Sequence, residues 1–266
     1  MTDKKAIGIF DSGIGGLTVL HSIIRTLPFE DTIYVGDTAR GPYGTKSATA
    51  VTSYSLEIGR FLETMDIKAL VVACNTASAV ALPSLMEEFS IPVIDMIDPA
   101  AEVAVRSTRN GHIGIIGTEG TIRSGAYERK IKALREDLET TSVACPLFVP
   151  LAEEGWTDND VALQSARIYL ETLKKSRIDT LILGCTHYPL LKETIKKVLG
   201  DQITLIDSGD AAALRLKDIL SKEAGAEESG PARRNYFVTD TPDRFLRLGK
   251  IFLGDEIEDV RHIDIP

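Results

Sequence analysis

Short apolar runs alternate with longer amphipathic segments along nearly the whole chain. Runs rich in β-branched residues predict strands, and several are apolar at successive positions, as in strands that are covered on both faces. We predict strands at residues 6–10, 32–35, 69–73, 92–94, 112–116, 142–144, 180–183, 204–206 and 236–239.

The segments between the strands have helical periodicity, which is clearest in 50–63 and 163–173. In the second segment, Ile168, Leu170 and Leu173 are predicted to pack against the core. Alternating strands and helices predict an α/β architecture with mostly parallel sheets.

Two strand–helix junctions of the first half recur in the second half. Residues 7–13 resemble 113–120, and residues 70–76 resemble 181–187. Any two such junctions are somewhat alike, but a cysteine stands at the same place in both copies of the second one. We therefore predict two copies of one α/β unit.

Composition narrows the function mainly by exclusion. The chain has 266 residues, 44% hydrophobic and 26% charged, which is typical of a globular protein. A net charge of -9 argues against direct nucleic-acid binding, which favours a basic face. No apolar run approaches the ~20 residues that span a bilayer, and three cysteines are too few for a disulfide framework. We expect a cytoplasmic protein with reduced thiols and no membrane partner, and a surface loop at 221–234.

Polar residues follow five of the predicted strands. In a parallel sheet the carboxyl ends of the strands lie at one edge, where ligands bind, so two facing domains would bring these loops to one cleft. The residues concerned are Asp11-Ser12, Gly36-Asp37-Thr38, Cys74-Asn75-Thr76, Gly117-Thr118 and Cys185-Thr186-His187.

The segment 11–16, with the sequence DSGIGG, is similar to a phosphate-binding loop but departs from its patterns. Ile14 and Gly15 replace the Lys and Ser/Thr of the Walker motif, and Thr18 occupies the third glycine position of the dinucleotide fingerprint. Asp11 would also repel a phosphate. The loop suits a ligand with both an ammonium and a carboxylate group, and a plain strand-to-helix turn is the alternative.

Cys74 and Cys185 are the strongest candidates for chemistry, because a helix N-terminus stabilises a thiolate. Two Cys and one His without short spacing make a weak zinc site, and a redox pair needs its sulfur atoms within bonding distance. His187 is expected to orient or protonate Cys185, and Asp11 is the matching acid beside Cys74. Cys145 has no polar companions and is predicted to be a buried structural thiol.

Four segments carry a resemblance to one enzyme family. Residues 11–16, 36–44, 73–78 and 183–189 resemble the signatures of the glutamate racemases, in the cofactor-independent aspartate/glutamate racemase superfamily. The four segments stand in the family's order and extend over most of the chain. The correspondence is loosest around Glu153 and absent in the C-terminal stretch.

The resemblance implies two similar α/β domains related by a pseudo-twofold axis, with the active site at their interface. The domains would be residues 1–98 with 207–266, and residues 99–206. Cys74 and Cys185 would interconvert L- and D-glutamate without cofactor or metal, in a homodimer that supplies D-glutamate for peptidoglycan. Further catalytic candidates are Asp11, His187 and Glu153. The expected substrate contacts are Asp11, Ser12, Tyr43, Gly44, Asn75, Thr76, Thr118, Thr186 and His187.

Two thiols suit this reaction because inversion at the α-carbon removes a proton from one face and returns one to the other. A thiolate and a thiol on opposite faces can do so and exchange states as the product forms. With each sulfur at a near-attack distance of ~3.5 Å from the α-carbon, the two would lie roughly 7 Å apart. The hydroxyls of Ser12, Thr76, Thr118 and Thr186 are expected donors to the carboxylates.

Two other functions remain open. The chain could be a relative with another substrate, such as an aspartate racemase or a one-cysteine decarboxylase, although the second cysteine argues against the decarboxylase. It could also bind an amino acid without catalysis.

Overall fold

Strands and helices alternate along the chain in a computed structural model that describes residues 5–222, 227, 229–253, 257 and 259–265. The strands are β1 (Ala6–Asp11), β2 (Thr32–Gly36), β3 (Ile67–Val72), β4 (Val93–Ile94), β5 (His112–Gly117), β6 (Glu139–Ala144), β7 (Thr180–Gly184), β8 (Thr204–Asp207), β9 (Arg234–Val238) and β10 (Arg261–His262). The helices are α1 (Leu17–Thr26), α2 (Ala48–Glu63), α3 (Asn75–Glu88), α4 (Ile97–Ser107), α5 (Glu119–Ser124), α6 (Ala126–Leu134), α7 (Phe148–Glu153), α8 (Asp160–Lys175), α9 (Lys192–Leu199), α10 (Ser208–Lys222) and α11 (Pro242–Leu253). Short 3-10 turns lie at Tyr43–Thr45 and Tyr188–Leu191.

The strands form two sheets in which neighbouring strands are parallel. The first sheet has the order β10-β9-β2-β1-β3-β4, and the second has the order β6-β5-β7-β8. The order β2-β1-β3-β4 is therefore repeated as β6-β5-β7-β8, which is the topology that the internal sequence repeat predicts. The α/β prediction with two similar parallel sheets is confirmed, while the domain boundaries at 98/99 and 206/207 stay a prediction.

The strand predictions are confirmed apart from their ends and one omission. β6 begins at Glu139, before the predicted segment 142–144. Its first residues are polar and at least partly exposed, so they lack the apolar pattern that predicts a strand. β10 was not predicted, since its two residues, Arg261 and His262, are exposed and only extend the sheet beyond β9.

The predicted helices 50–63 and 163–173 lie within α2 and α8, but the predicted position of Ile168 is wrong. This side chain is 74% exposed. At about 100° per residue, Ile168 lies on the side of the helix opposite to Leu170, which is buried. Of the predicted loop at 221–234, the first two residues end α10, the last begins β9, and residues 223–226 and 228 lie outside the described residues.

Each sheet is packed on both faces. Ile7 and Ile9 of β1 belong to a core with α1, α10 and α11, while Phe10, which points to the other face, packs with residues of α2 and α3. In the second sheet, Ile115 packs on the side of α4 and α6, and Ile116 on the side of α7, α8 and α9. Burial on both faces explains why the strands are nearly continuous apolar runs. No helix among the described residues is long and apolar enough to cross a bilayer.

Asp179 fastens the loop before β5 to the start of β7. Its carboxylate, in a residue that is 9% exposed, accepts hydrogen bonds from Thr108 Oγ1 at 2.8 Å and from the backbone N–H groups of Arg109 and Asn110 at 2.7 Å.

We expect Asp179→Ala to lower the free energy of unfolding by about 3 kcal/mol, because two backbone donors lose their acceptor. Urea unfolding measures this loss. The exposed Asp201→Ala should change stability by less than about 0.5 kcal/mol, and equal effects would contradict the assignment.

Candidate active site

Cys74 and Cys185 line one small cavity between the two sheets. Cys74 follows β3 and precedes α3, and Cys185 follows β7, the strand at the equivalent place in the second sheet. The cavity has a volume of about 20 Å³ and is lined by Ser12, Pro42, Gly44, Cys74, Asn75, Thr76, Thr118, Val149, Cys185, Thr186 and His187.

This lining includes every predicted site residue except Asp11, Tyr43 and Glu153, and it adds Pro42 and Val149. The loops at the carboxyl ends of strands from both sheets therefore meet as the topology predicts.

The surroundings of Cys74 favour its neutral thiol. The residue is 6% exposed and stands at the N-terminus of α3. Burial and the charge of Asp11 raise the pKa of Cys74 to about 12, although hydrogen bonds from the Ala77 backbone and the Ser12 side chain act in the opposite direction.

A chain of polar side chains begins at Cys185. Its Sγ lies 3.8 Å from His187 Nδ1, and His187 Nε2 lies 3.1 Å from Glu153 Oε1. Arg244 Nη2 donates to the other carboxylate oxygen of Glu153 at 3.3 Å. Burial acts to lower the pKa of His187, but hydrogen bonds and charges from Cys185 and Glu153 outweigh it and raise this pKa to about 10. Cys185 therefore has a protonated imidazole as its neighbour.

Asp11 is fully buried and lines neither the small cavity nor the larger one described below. Its Oδ2 accepts a hydrogen bond from the Gly13 N–H at 3.0 Å, and its Oδ1 has no hydrogen-bond partner among the described residues. Burial raises the pKa of Asp11, and the charge of His187 opposes this shift. Cys74 therefore has a carboxyl neighbour, whereas Cys185 has an imidazole neighbour.

Tyr43 is held away from the cavity by its hydroxyl. This group donates to the carboxylate of Asp37, which also accepts from Arg40 Nε at 2.8 Å and from Thr239 Oγ1 at 2.9 Å. Asp37 thus anchors the loop that brings Gly44 to the cavity. A contact between Tyr43 and substrate stays a prediction.

Glycines allow the two halves of the molecule to approach closely on either side of the cavity. A Cβ atom on Gly44 would lie 2.7 Å from the Cβ of Thr118. A Cβ atom on Gly15 would lie 2.3 Å from Thr186 Oγ1 and 2.4 Å from the ring of His187. The first glycine-rich loop therefore does more than turn the chain from β1 into α1. It also packs closely against Thr186 and His187, which follow β7 of the second sheet.

A larger cavity of about 450 Å³ adjoins the small one and shares Ser12, Pro42, Val149 and His187 with it. Residues of α11, including Arg244, line its outer side. A cavity of about 20 Å³ holds roughly one water molecule, so it must widen before an amino acid can reach the two cysteines. The contribution of α11 is not predicted from the sequence, because this helix lies in the C-terminal stretch without family correspondence.

The third cysteine does not reach the cavity. Cys145 is fully buried in the core of the second half, and all three cysteines are free thiols. The prediction of a buried thiol at Cys145 is confirmed. In the described part of the chain, no group of three or more His, Cys, Asp or Glu side chains is arranged to hold a metal ion.

We expect Glu153→Gln to lower the pKa of His187 from about 10, because the substitution removes the negative charge that favours the protonated imidazole, while the amide oxygen can still accept from Nε2. The raised pKa belongs to the folded state, so its stabilising effect is complete below about pH 6.5 and is lost as the pH rises toward 10. Titration of the imidazole by NMR measures the change, which should exceed about 1 pH unit.

The matched control is Glu154→Gln, which changes the exposed neighbouring carboxylate. This control substitution should leave the pKa of His187 unchanged. A Glu153 variant that titrates like the unchanged protein would contradict the proposed link between the two side chains.

Comparisons with known proteins agree with this geometry. Residues 7–216 match the family model described as Asp/Glu/Hydantoin racemase. A glutamate racemase from Geobacter metallireducens is 55% identical over 98% of this chain and 97% of its own length. The structure of a glutamate racemase isoform from Bacillus anthracis is similar with a TM-score of 0.96 and 43% identity, covering 98% of both chains. A glutamate racemase from Francisella tularensis, solved in complex with D-glutamate, has a TM-score of 0.93 and 37% identity over 99% of this chain and 98% of that one.

Proposed function

Because the chain belongs to the Asp/Glu/hydantoin racemase family and is an amino-acid racemase, we propose that it interconverts L- and D-glutamate at the small cavity. The observation that carries this proposal is that Cys74 and Cys185 line one cavity from different halves of the molecule. Two buried thiols on opposite sides of one ligand suit an inversion that needs an acid and a base at the same carbon.

The electrostatic difference between the two thiols supports a defined starting state. Cys185, beside the imidazolium of His187, acts first as the base, and Cys74, whose pKa of about 12 favours the thiol, acts as the acid. The thiolate of Cys185 removes the α-proton, and the electron pair of the C–H bond stays on the α-carbon. Cys74 then donates its proton to the opposite face, which leaves Cys74 as the thiolate and Cys185 as the thiol.

The carbanion requires stabilisation through the α-carboxylate, because the α-proton of an amino acid is only weakly acidic. α3 begins at Asn75, directly after Cys74, and both Asn75 and Thr76 line the cavity. The N-terminus of a helix favours negative charge. The hydroxyls of Thr76 and Thr118, which lie 2.8 Å apart, are further donors. We propose that Asp11, which does not line the cavity but has a buried carboxylate oxygen without a partner among the described residues, attracts the ammonium group of the substrate when the cavity widens.

Substrate choice is tested by incubating the protein separately with L-glutamate and L-aspartate and following the loss of circular dichroism. We expect racemisation of glutamate, the ligand of the Francisella relative. Faster inversion of aspartate, measured as kcat/KM, would replace glutamate as the proposed substrate. Solvent deuterium that never enters the α-position of either amino acid would contradict a racemase.

The cellular role follows from the product. We propose that D-glutamate made in the cytoplasm supplies peptidoglycan synthesis. The gene should therefore restore growth of a D-glutamate auxotroph, whereas a variant in which both Cys74 and Cys185 are replaced by alanine should not. A homodimer without direct nucleic-acid binding stays a prediction. Sedimentation at about twice the chain mass of 29.0 kDa would support the dimer.

A further inference from the structure

The side-chain amide of Asn75 is held at both of its ends. Tyr127 Oη donates to Asn75 Oδ1 at 2.6 Å, and Asn75 Nδ2 donates to Ser208 Oγ at 3.3 Å. Ser208 Oγ in turn donates to the backbone oxygen of Leu183 at 3.2 Å. Asn75, Tyr127 and Ser208 are each no more than 2% exposed, so water does not compete for these bonds.

The donors and acceptors in this series of hydrogen bonds select one orientation of the Asn75 amide. The Leu183 carbonyl can only accept, so the Ser208 hydroxyl hydrogen points to it and the Ser208 oxygen accepts from Asn75. The Tyr127 hydroxyl has a single hydrogen, and the amide oxygen is its closer acceptor, compared with 3.3 Å to the Met96 carbonyl. One N–H of Nδ2 is then left for a ligand, and Asn75 lines the cavity.

This series of hydrogen bonds also joins the two segments of the polypeptide that carry the thiols. Asn75 is the residue after Cys74, and Leu183 stands two residues before Cys185. A rotated amide would turn its oxygen, in place of an N–H, toward a carboxylate in the cavity. That change would replace an attraction by a repulsion.

We propose that Tyr127 and Ser208 are positioning residues that fix the Asn75 amide with an N–H toward the cavity, where it binds a carboxylate of the substrate. This inference rests on the proposed racemisation of glutamate. Tyr127 and Ser208 act through Asn75 and do not themselves contact the substrate.

A double-mutant cycle tests the assignment with Tyr127→Phe, Asn75→Ala and the combination of both. Tyr127→Phe removes one hydroxyl and should lower kcat/KM for glutamate about 10-fold, the usual effect of an unsatisfied buried partner. In the Asn75→Ala background the same substitution should change kcat/KM less than about 2-fold, because the residue through which it acts is gone. Equal losses in both backgrounds would assign Tyr127 a general structural role and overturn the proposal.

Ser208→Ala provides a second test that does not depend on the folding of the tyrosine variant. It should lower kcat/KM about 5-fold, because Asn75 Nδ2 loses the oxygen to which it donates. Its matched control is Ser55→Ala, which removes a fully buried hydroxyl that donates to the Val51 carbonyl at 2.7 Å within α2. The control should retain full activity, and an unchanged Ser208 variant would contradict the inference. If the unsubstituted protein fails to racemise glutamate, the proposed function fails, whereas equal effects in an active protein refute the positioning role alone.

Discussion

Replacing either Cys74 or Cys185 by alanine is expected to lower the rate of glutamate racemisation in both directions by at least about 10³-fold. Each direction needs one sulfur as base and the other as acid, so the loss of either group stops the complete inversion. Both side chains are small and almost fully buried, so each substitution removes little volume and the chain should remain folded. Circular dichroism of glutamate with each enantiomer as starting material measures the rates.

Cys145→Ala is the matched control for both substitutions. It removes a buried thiol from the core of the second half, outside the lining of the cavity. We expect this variant to keep kcat/KM within about 2-fold at a slightly lower melting temperature. A Cys74 or Cys185 variant that works as well as the Cys145 variant would rule out a mechanism with two bases.

Gly15→Ala is expected to lower kcat/KM about 100-fold, although it adds only one methyl group. The new Cβ would lie 2.3 Å from Thr186 Oγ1 and 2.4 Å from the His187 ring, so the two halves must separate or His187 must turn. Either movement displaces the imidazole from the sulfur of Cys185. Steady-state kinetics together with thermal unfolding distinguish this local displacement from a loss of the fold.

Gly13→Ala makes the same chemical change two residues earlier in the same loop. Among the described residues other than its two chain neighbours, none has a heavy atom within 4 Å of the Cβ position on Gly13, so activity should stay within about 3-fold of the original. If both alanine variants lose activity equally, a general need for a flexible loop would explain the data better than contact with His187.

The elements that sequence analysis predicted are those with a strong local signal. Strands such as β1 and β7 are buried along their whole length, so their apolar residues stand out. β10 has two exposed residues and exists only through pairing with β9, a contact that no local pattern reveals. Ile168 was misplaced for a related reason, since an apolar residue on a helix can face solvent at little cost.

The residues of the candidate site also fall into those that have a local sequence signal and those that have none. Cys74, Cys185 and their polar neighbours follow buried strands, and the internal repeat marks both thiols in the sequence. The residues that hold these groups in place gave no such signal. Tyr127 reaches Asn75 from 52 residues away along the chain, and Arg244 reaches Glu153 from 91 residues away. Only the packing of the two sheets brings these partners together.

Racemisation of L-glutamate in deuterium oxide, stopped at low conversion, tests the central claim most directly. Two thiols on opposite faces predict that the D-glutamate formed carries deuterium at the α-carbon, while the remaining L-glutamate keeps its hydrogen. The reverse reaction, started from D-glutamate, should give the mirror result. Deuterium that enters the unreacted enantiomer as fast as the product would indicate a single base serving both faces, and would contradict the assignment of Cys74 and Cys185 as an acid–base pair.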